Sequence, residues 1–249
     1  MKGLVQAFLG AVAFMTRLPV PGKLQGRPED LPHATMFFPL VGLLIGAGAI
    51  GLSYLLAAFV ARDAGLVVVL AYLVIVTGGF HEDALADAAD GFGGGWGKDR
   101  ILEIMHDSRI GSFGALAIEL ALLARFVFLK EIPAPRFAAY LLAGQVACRW
   151  TALPLAFLLP PAREEGGQGA RLAGRIPVSS LVVGTILTAG ILGTVLGMKA
   201  LWVGLAAMAV TAASGAYYRS QIGGITGDCL GATNQLTEIA VYFAGVVLH

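Results

Sequence analysis

Long apolar runs alternate with short polar segments along the whole chain. Runs of about 20 apolar residues are long enough to cross a bilayer as α-helices. The pattern predicts seven such spans, at residues 37–61, 65–80, 110–129, 137–159, 178–198, 200–218 and 231–248. A further apolar stretch at the N-terminus ends at prolines, and we expect it to form a short helix at the membrane interface. The sequence therefore predicts an all-α polytopic membrane protein, a helical bundle of about seven transmembrane spans.

Composition supports this class and excludes others. Of the 249 residues, 57% are hydrophobic and 13% are charged, whereas soluble domains carry about 25% charged residues. The net charge of +1 leaves no basic surface for nucleic acid. Cys148 and Cys229 are far apart, which excludes a disulfide framework and a zinc site. No linker or internal repeat divides the chain, so we expect one domain over residues 1–249.

The distribution of positive charge predicts the orientation. Most of the 17 Lys and Arg residues fall on one side of the predicted spans if the N-terminus is cytoplasmic, as the positive-inside rule requires. The polar motifs TRLPVPG, HEDALADAADG, HDSRIGSFG and GGITGDCLGA fall on the same side. The sequence therefore predicts a single site that faces the cytoplasm.

The acidic segment that follows the second apolar run is the strongest candidate for chemistry. Asp83, Asp87 and Asp90 are spaced i, i+4 and i+7, which places three carboxylates on one helical face. No Lys or Arg stands four residues away to pair with them, and carboxylate oxygens suit Mg²⁺. A solvated helix start is the alternative. Glu82 and His81 lie off this face, and His81 could contact phosphate or accept a proton.

A second motif, HDSRIGSFG, precedes the third predicted span. Arg109 can bind phosphate with two parallel hydrogen bonds. Asp107 could bind metal or accept a proton from a hydroxyl nucleophile, and Ser108 lies between them. The alternative is an ion-paired cap for the span.

A third motif, GGITGDCLGATNQLTE, is rich in glycine. A tight turn at Gly224, Thr226 and Gly227 could offer backbone N–H groups to an anion, and Asp228 could complete a metal site from a second helix. The alternative is a glycine-rich turn with a capping aspartate. Glu238 follows one or two turns inside the last predicted span.

Several other charged residues lie within or beside the predicted spans, where each needs a partner or a wet cavity. Arg149 is the deepest, and we expect it to neutralise phosphate. Arg125 is expected to extend toward the non-cytoplasmic side. Arg17, between an apolar stretch and two prolines, could contact an anion or anchor the chain at the interface.

Five strings in order, TRLPVP, FFPLVG, GGFHEDALADAADG, EIMHDSRIGSFG and GGITGDCLGA, resemble the cobalamin synthases, an integral-membrane family of adenosylcobinamide-GDP ribazoletransferases. The family pattern H-x-D-G-L-A-D-x-A-D corresponds to residues 81–90. Ala84 stands where glycine is usual, and all three aspartates are kept. The strings D-S-R-I-G-x-F-G and G-G-I-T-G-D correspond to residues 107–114 and 223–228.

The resemblance implies the reaction and its participants. A ribose hydroxyl of α-ribazole, or of its 5′-phosphate, would attack the cobinamide-side phosphorus of adenosylcobinamide-GDP, and GMP would leave. The family requires Mg²⁺. The resemblance also implies a multi-pass protein in the bacterial or archaeal cell (inner) membrane, surrounded by the lipid bilayer and working beside other enzymes of cobalamin synthesis.

Residue roles follow as hypotheses. The expected metal ligands are Asp83, Asp87, Asp90 and Asp228. The expected catalytic residues are Arg109 and Arg149, which would neutralise phosphate, and Asp107 or His81, which would accept the hydroxyl proton. The expected substrate contacts are Arg17, Ser108, Arg109, Gly224, Thr226, Gly227, Asp228 and Glu238.

Other membrane transferases and ion-coupled transporters share some of these features. CDP-alcohol phosphotransferases also use a cytoplasmic Asp-rich motif, but their D-G-x-x-A-R start is absent here, and membrane prenyltransferases carry two Asp-rich motifs. An ion-coupled transporter would explain charges within spans, but it would favour inverted repeats or paired broken helices, and the sequence has neither.

Overall fold

The computed structural model describes residues 2–163 and 171–248, and most of these residues are helical. In chain order the helices are α1 (Lys2–Met15), α2 (Leu31–Ala34), α3 (Phe38–Leu56), α4 (Arg62–Thr77), α5 (Phe80–Gly94), α6 (Lys98–Met105), α7 (Ser112–Glu131), α8 (Ala134–Trp150), α9 (Ala152–Leu158), α10 (Val178–Leu196), α11 (Lys199–Ile222) and α12 (Gly227–Val247). Short 3₁₀ turns at Gly22–Leu24, Pro28–Asp30 and Thr35–Phe37 link α1 to α3. The all-α prediction is confirmed.

Five segments are long and apolar enough to cross a membrane. They are Leu31–Leu56, Ser112–Glu131, Ala134–Leu158, Val178–Leu196 and Lys199–Ile222. Helices α4 and α5 reach the same apolarity only as a pair, and the pair is bent by 86°. By length and apolarity the described residues thus hold five candidate spans, or six with this pair, and the predicted number of about seven stays a prediction. The protein is a multi-pass membrane protein.

The seventh predicted span corresponds to α12, which is not among these five segments. This helix packs against α5, α7, α8 and α11. Its polar residues Thr233, Asn234, Gln235 and Glu238 are all buried. In lipid, such groups need partners from the protein itself, and here the neighbouring helices surround them. α12 is therefore a central helix of the bundle, and its neighbours cover these polar residues.

Two consecutive glycines produce the sharp bend between α4 and α5. Gly78 and Gly79 have φ values of +71° and +70°, a left-handed conformation that glycine adopts without steric cost. The backbone N–H of Arg17 donates to the carbonyl of Val76 at 2.7 Å, and the Arg17 side chain fills the space beside Gly78. α5 therefore runs nearly perpendicular to α4, and neither α5 nor α12 alone is among the five candidate spans.

The N-terminal helix α1 is a separate, shorter element. Ala11, Val12 and Met15 are buried, whereas Leu4 and Val5 are exposed, and α1 packs against α2 and α3. Its 14 residues are too few to cross a bilayer. The predicted short helix is present, and its location at the membrane interface stays a prediction.

Candidate active site

Carboxylates from two separate helices lie close enough to influence one another. Asp83 is exposed and Asp87 half-buried on α5, and Asp228 is half-buried in the first turn of α12. Burial, then the charges of Asp83, Asp228 and Asp90, raise the pKa of Asp87 from its ordinary 3.8 to about 7. The structure therefore brings Asp228 to the acidic segment from a second helix. The metal-ligand role of these residues stays a prediction.

Small residues allow this approach of α5 and α12. A Cβ atom added to Gly231 on α12 would collide with the Cβ of Ala84 on α5, so the two backbones are in near contact. Ala84 is one residue from Asp83, and Gly231 is three residues from Asp228. The helix contact therefore limits how far apart the two carboxylates can lie.

From the raised pKa of Asp87 we predict how the stability of the protein depends on pH. An acid with a higher pKa in the folded state contributes stability at low pH that is lost as pH rises from the unfolded to the folded pKa. We expect the unfolding temperature, measured with a chelator present, to fall between about pH 5 and about pH 7. Asp87→Asn should flatten this dependence, and Asp99→Asn, an exposed aspartate on α6, should not. An equal slope in wild type and Asp87→Asn would contradict the coupling.

Asp90 has partners that the sequence did not indicate. Its carboxylate accepts hydrogen bonds from the backbone N–H groups of Gly111 at 2.7 Å and Gly114 at 2.8 Å. These donors lie just before and within the first turn of α7, where N–H groups have no partner inside the helix. Asp90 therefore caps α7 across 21 residues of sequence, and both of its oxygens are engaged. Its predicted role as a metal ligand is untested.

The cap predicts separate effects on stability and metal binding. Asp90→Ala would leave two N–H groups without an acceptor, which should cost about 1–3 kcal/mol of folding free energy. If Asp90 acts only as a cap, the Mn²⁺ affinity of the folded fraction should stay within about threefold of wild type, far less than the 10–100-fold typical for the supporting shell of a metal. Thermal unfolding and Mn²⁺ titration of the same preparation measure both effects. Greatly weakened Mn²⁺ binding would restore Asp90 to the metal site.

Asp107 and Arg109 form an exposed ion pair. The Arg109 guanidinium donates to both Asp107 oxygens at 3.0, 3.2 and 2.6 Å, and its backbone N–H donates at 3.1 Å. These bonds hold the pKa of Asp107 at about 2. A carboxylate of such low pKa is a poor proton acceptor near neutral pH, which argues against the predicted base role of Asp107. Ser108 is exposed beside this pair.

The glycine-rich turn is anchored to another part of the chain. Ile225 N–H donates to Pro160 O at 3.0 Å, and Ala162 N–H donates to Ile225 O at 2.9 Å. Gly224 lies so close to the Pro160 carbonyl that a Cβ would collide with it. Gly224 thus makes a close backbone contact within the protein, and its expected contact with an anion stays a prediction. Gly227 begins α12 and borders a small cavity.

Thr226 caps α12 and orients the neighbouring aspartate. Its hydroxyl oxygen accepts from the Cys229 N–H at 3.2 Å, and the hydroxyl donates to Asp228 at 3.2 Å. Thr226 is itself buried. The structure therefore gives Thr226 a supporting role beside Asp228, and its expected contact with substrate is untested.

Arg163 is a site residue that the motifs did not single out. Burial raises the pKa of Asp228, and the Thr226 hydroxyl and the Arg163 charge oppose that rise. The Arg163 guanidinium also donates to the Leu102 carbonyl of α6. The pairing of residues 160–162 with Ile225 brings this arginine to the carboxylates. Little in the sequence indicates this role, because Arg163 stands in a polar loop and not in one of the motifs. Residues 164–170 of that loop are outside the described part of the chain.

The other predicted site residues lie deeper or farther along the chain. His81 is buried and lines a cavity of about 30 Å³ with Phe80, Gly227 and Asn234. Arg149 is buried on α8, where it donates to the side-chain and backbone oxygens of Gln145, both at 2.9 Å. Arg17 is exposed at the α4–α5 turn.

Glu238 and Arg125 are partners of one another. Arg125 is 1% exposed, and its guanidinium lies 3.0 Å from a Glu82 oxygen and 3.6 Å from a Glu238 oxygen. The expectation that Arg125 extends to the non-cytoplasmic side was therefore wrong, because two buried glutamates hold it inside the bundle. Glu238 is engaged by protein groups, and its expected contact with substrate is untested.

Together these features define a multi-pass membrane protein with clustered carboxylates and a nearby arginine at the start of its central helix. The model of the family described as cobalamin-5-phosphate synthase matches residues 7–246. The chain belongs to this family, and it is a transferase of cobalamin synthesis.

Curated relatives match over nearly the full chain and share one name, adenosylcobinamide-GDP ribazoletransferase. The protein from Shewanella amazonensis is 39% identical over 252 residues, which is 99% of this chain and 97% of the relative. That from Vibrio parahaemolyticus is 34% identical, covering 98% and 93%, and that from Ralstonia nicotianae is 38% identical, covering 93% and 91%. No solved structure matches the chain.

Proposed function

We propose that this chain joins adenosylcobinamide-GDP to α-ribazole, or to its 5′-phosphate, with release of GMP. The family and the shared name of the relatives support the reaction. The observation that carries it at the level of residues is the approach of Asp83, Asp87 and Asp228 from two helices, with Arg163 beside them. Such a site suits a diphosphate substrate, whose charge must be offset for a nucleophile to approach.

The proposed reaction exchanges one phosphoester bond for another. A ribose hydroxyl oxygen bonds to the phosphorus attached to cobinamide, and the bond from that phosphorus to the bridging oxygen of GMP breaks. The hydroxyl proton passes to a base, and GMP leaves with the electron pair of the broken bond. The product is adenosylcobalamin, or its 5′-phosphate. Positioning and charge neutralisation are the main demands of such a transfer.

The donor set fits Mg²⁺. No three His, Cys, Asp or Glu side chains within residues 2–163 and 171–248 already converge on a single metal position. Burial, and then repulsion by the neighbouring carboxylates, raises the pKa of Asp87. A hard divalent cation would relieve that repulsion, and oxygen ligands with added water suit Mg²⁺. Asp83, Asp87 and Asp228 would hold the ion. When bound, it would withdraw charge from the diphosphate oxygens.

The remaining roles fall to the protein's own side chains. Arg163 is placed to contact a phosphate bound at Asp228, and Arg109 could do so after leaving Asp107. Neither candidate base is favoured, because the Arg109 ion pair holds the pKa of Asp107 at about 2 and burial lowers the pKa of His81 well below its ordinary value. We further propose that the site faces the cytoplasm of a bacterial or archaeal cell, in agreement with the bias of positive charge.

Purified protein in liposomes tests this function. With adenosylcobinamide-GDP, α-ribazole and Mg²⁺, we expect stoichiometric GMP and corrinoid product, and no turnover of CDP-diacylglycerol or a prenyl diphosphate. Turnover of either alternative substrate without GMP release would favour a different membrane transferase. Substrate accumulation inside sealed vesicles without GMP release would instead indicate a transporter.

A further inference from the structure

A cluster of buried charges that the proposed reaction does not use lies between three helices. Arg125 of α7 is 1% exposed, Glu82 of α5 is 9% exposed and Glu238 of α12 is 3% exposed. One Arg125 nitrogen donates to Glu82 at 3.0 Å, and another lies 3.6 Å from Glu238. Gln235 donates to the same Glu82 oxygen at 3.2 Å, and Tyr242 donates to Glu238 at 3.0 Å. We call this set the Arg125 cluster.

The Arg125 cluster joins the two helices that carry the candidate metal ligands. Glu82 immediately precedes Asp83 on α5, and Glu238 lies on α12, which begins beside Asp228. Successive residues on a helix point about 100° apart, so Glu82 faces the interior while Asp83 is exposed. A single guanidinium therefore links α5 and α12 behind the acidic surface.

Stability alone is a weak reason for such a cluster. Burying charges costs several kcal/mol each, and a buried ion pair often contributes less than apolar packing of the same volume. Glu82 Oε2 and Arg125 Nε have no hydrogen-bond partner among the described residues. Hydrogen bonds within the protein therefore do not fully offset the cost of removing this cluster from water. Buried charges in a membrane protein are expensive, and those that persist commonly serve function.

The Arg125 cluster does provide a fixed geometry between α5 and α12. The rigid fork of arginine presents its donors in one plane, and here two of its nitrogens face carboxylates from different helices. The Gly231–Ala84 contact holds the helices together on one side, and the Arg125 cluster ties them at a second point. These two contact points together restrict the rotation of α5 relative to α12, which a single contact point would permit.

We propose that Arg125 is a positioning residue that sets the separation of Asp83 and Asp228, and hence the affinity of the acidic site for a divalent cation. This inference rests on the metal role proposed above. Arg125 does not touch the ion or the substrate; it acts through Glu82 and Glu238.

Titration with Mn²⁺, followed by electron paramagnetic resonance without substrate, tests the inference. We expect Arg125→Met to weaken Mn²⁺ binding by about 10–100-fold, the range for residues that support metal ligands. Arg125→Lys keeps the charge but loses the planar fork that faces both glutamates, so its affinity should lie between those of wild type and Arg125→Met. Arg62→Met is the matched control, since Arg62 links α4 to the Ile132 carbonyl at 2.7 Å, away from the carboxylates. It should leave Mn²⁺ affinity unchanged.

Other variants distinguish a failure to fold from a failure of the positioning role or of the proposed metal site. If Arg125→Met does not fold, Glu238→Gln carries the test, because it keeps the shape of the side chain and should still weaken Mn²⁺ binding. Normal affinity in the folded variants would overturn the positioning role. Equal loss in Arg62→Met would also overturn it, by showing a general effect of removing an arginine between helices. Absence of Mn²⁺ binding by wild type would overturn the proposed metal site, and the positioning role with it.

Discussion

Replacing Asp228 by asparagine should reduce GMP release by about a thousandfold, which corresponds to roughly 4 kcal/mol of transition-state stabilisation. Asp228 approaches the acidic segment from a second helix, so its replacement would remove the proposed metal ligand that α12 contributes. Asp83→Asn and Asp87→Asn should have comparable effects. The measurement is initial GMP release in liposomes at saturating substrates, with the amount of folded protein determined for each preparation.

Asp99→Asn is the control for this series. Asp99 is exposed on α6, and its replacement should leave GMP release within about twofold of wild type, as is usual for surface substitutions away from special features. Near-normal turnover in Asp83→Asn, Asp87→Asn or Asp228→Asn would remove that aspartate from the proposed metal site.

Arg163→Met should reduce GMP release by about a hundredfold, since removing a donor aimed at developing negative charge typically costs two to three powers of ten. Arg163→Lys keeps the charge but loses the planar fork, so we expect an intermediate loss. Steady-state kinetics over a range of adenosylcobinamide-GDP concentrations measures both variants.

Arg175→Met controls for charge in the same segment of chain, since Arg175 is exposed. It should behave as wild type. If Arg163→Met and Arg175→Met lose activity equally, the effect belongs to the general charge of the loop. If Arg163→Met keeps full activity, Arg163 is only a contact to α6.

The acidic segment and most spans were predictable because their signals are local. A bilayer requires about 20 apolar residues per helix, and helical spacing alone places Asp83 and Asp87 on one face. The burial of the polar residues of α12 was not predictable in this way. Its hydropathy cannot distinguish a lipid-facing surface from one covered by neighbouring helices, and only the packed bundle shows that its polar first half is buried.

Contacts between distant segments account for the rest of what the sequence did not reveal. Asp90 looked equivalent to Asp83 on its helix, but the start of α7 supplies it with two N–H donors. Arg125 could have turned either way along α7, and the partners that decide its direction are on α5 and α12. The charge of Arg163 acts on Asp228 because neighbouring residues pair with Ile225, and no sequence motif indicates that pairing.

The most direct test of the central claim is the dependence of GMP release on divalent cation in the wild-type protein. After exhaustive chelation, GMP release from adenosylcobinamide-GDP and α-ribazole should disappear, and added Mg²⁺ should restore it. The Asp228→Asn variant should remain inactive at the Mg²⁺ concentration that saturates wild type. Undiminished GMP release by wild type after chelation would contradict the account.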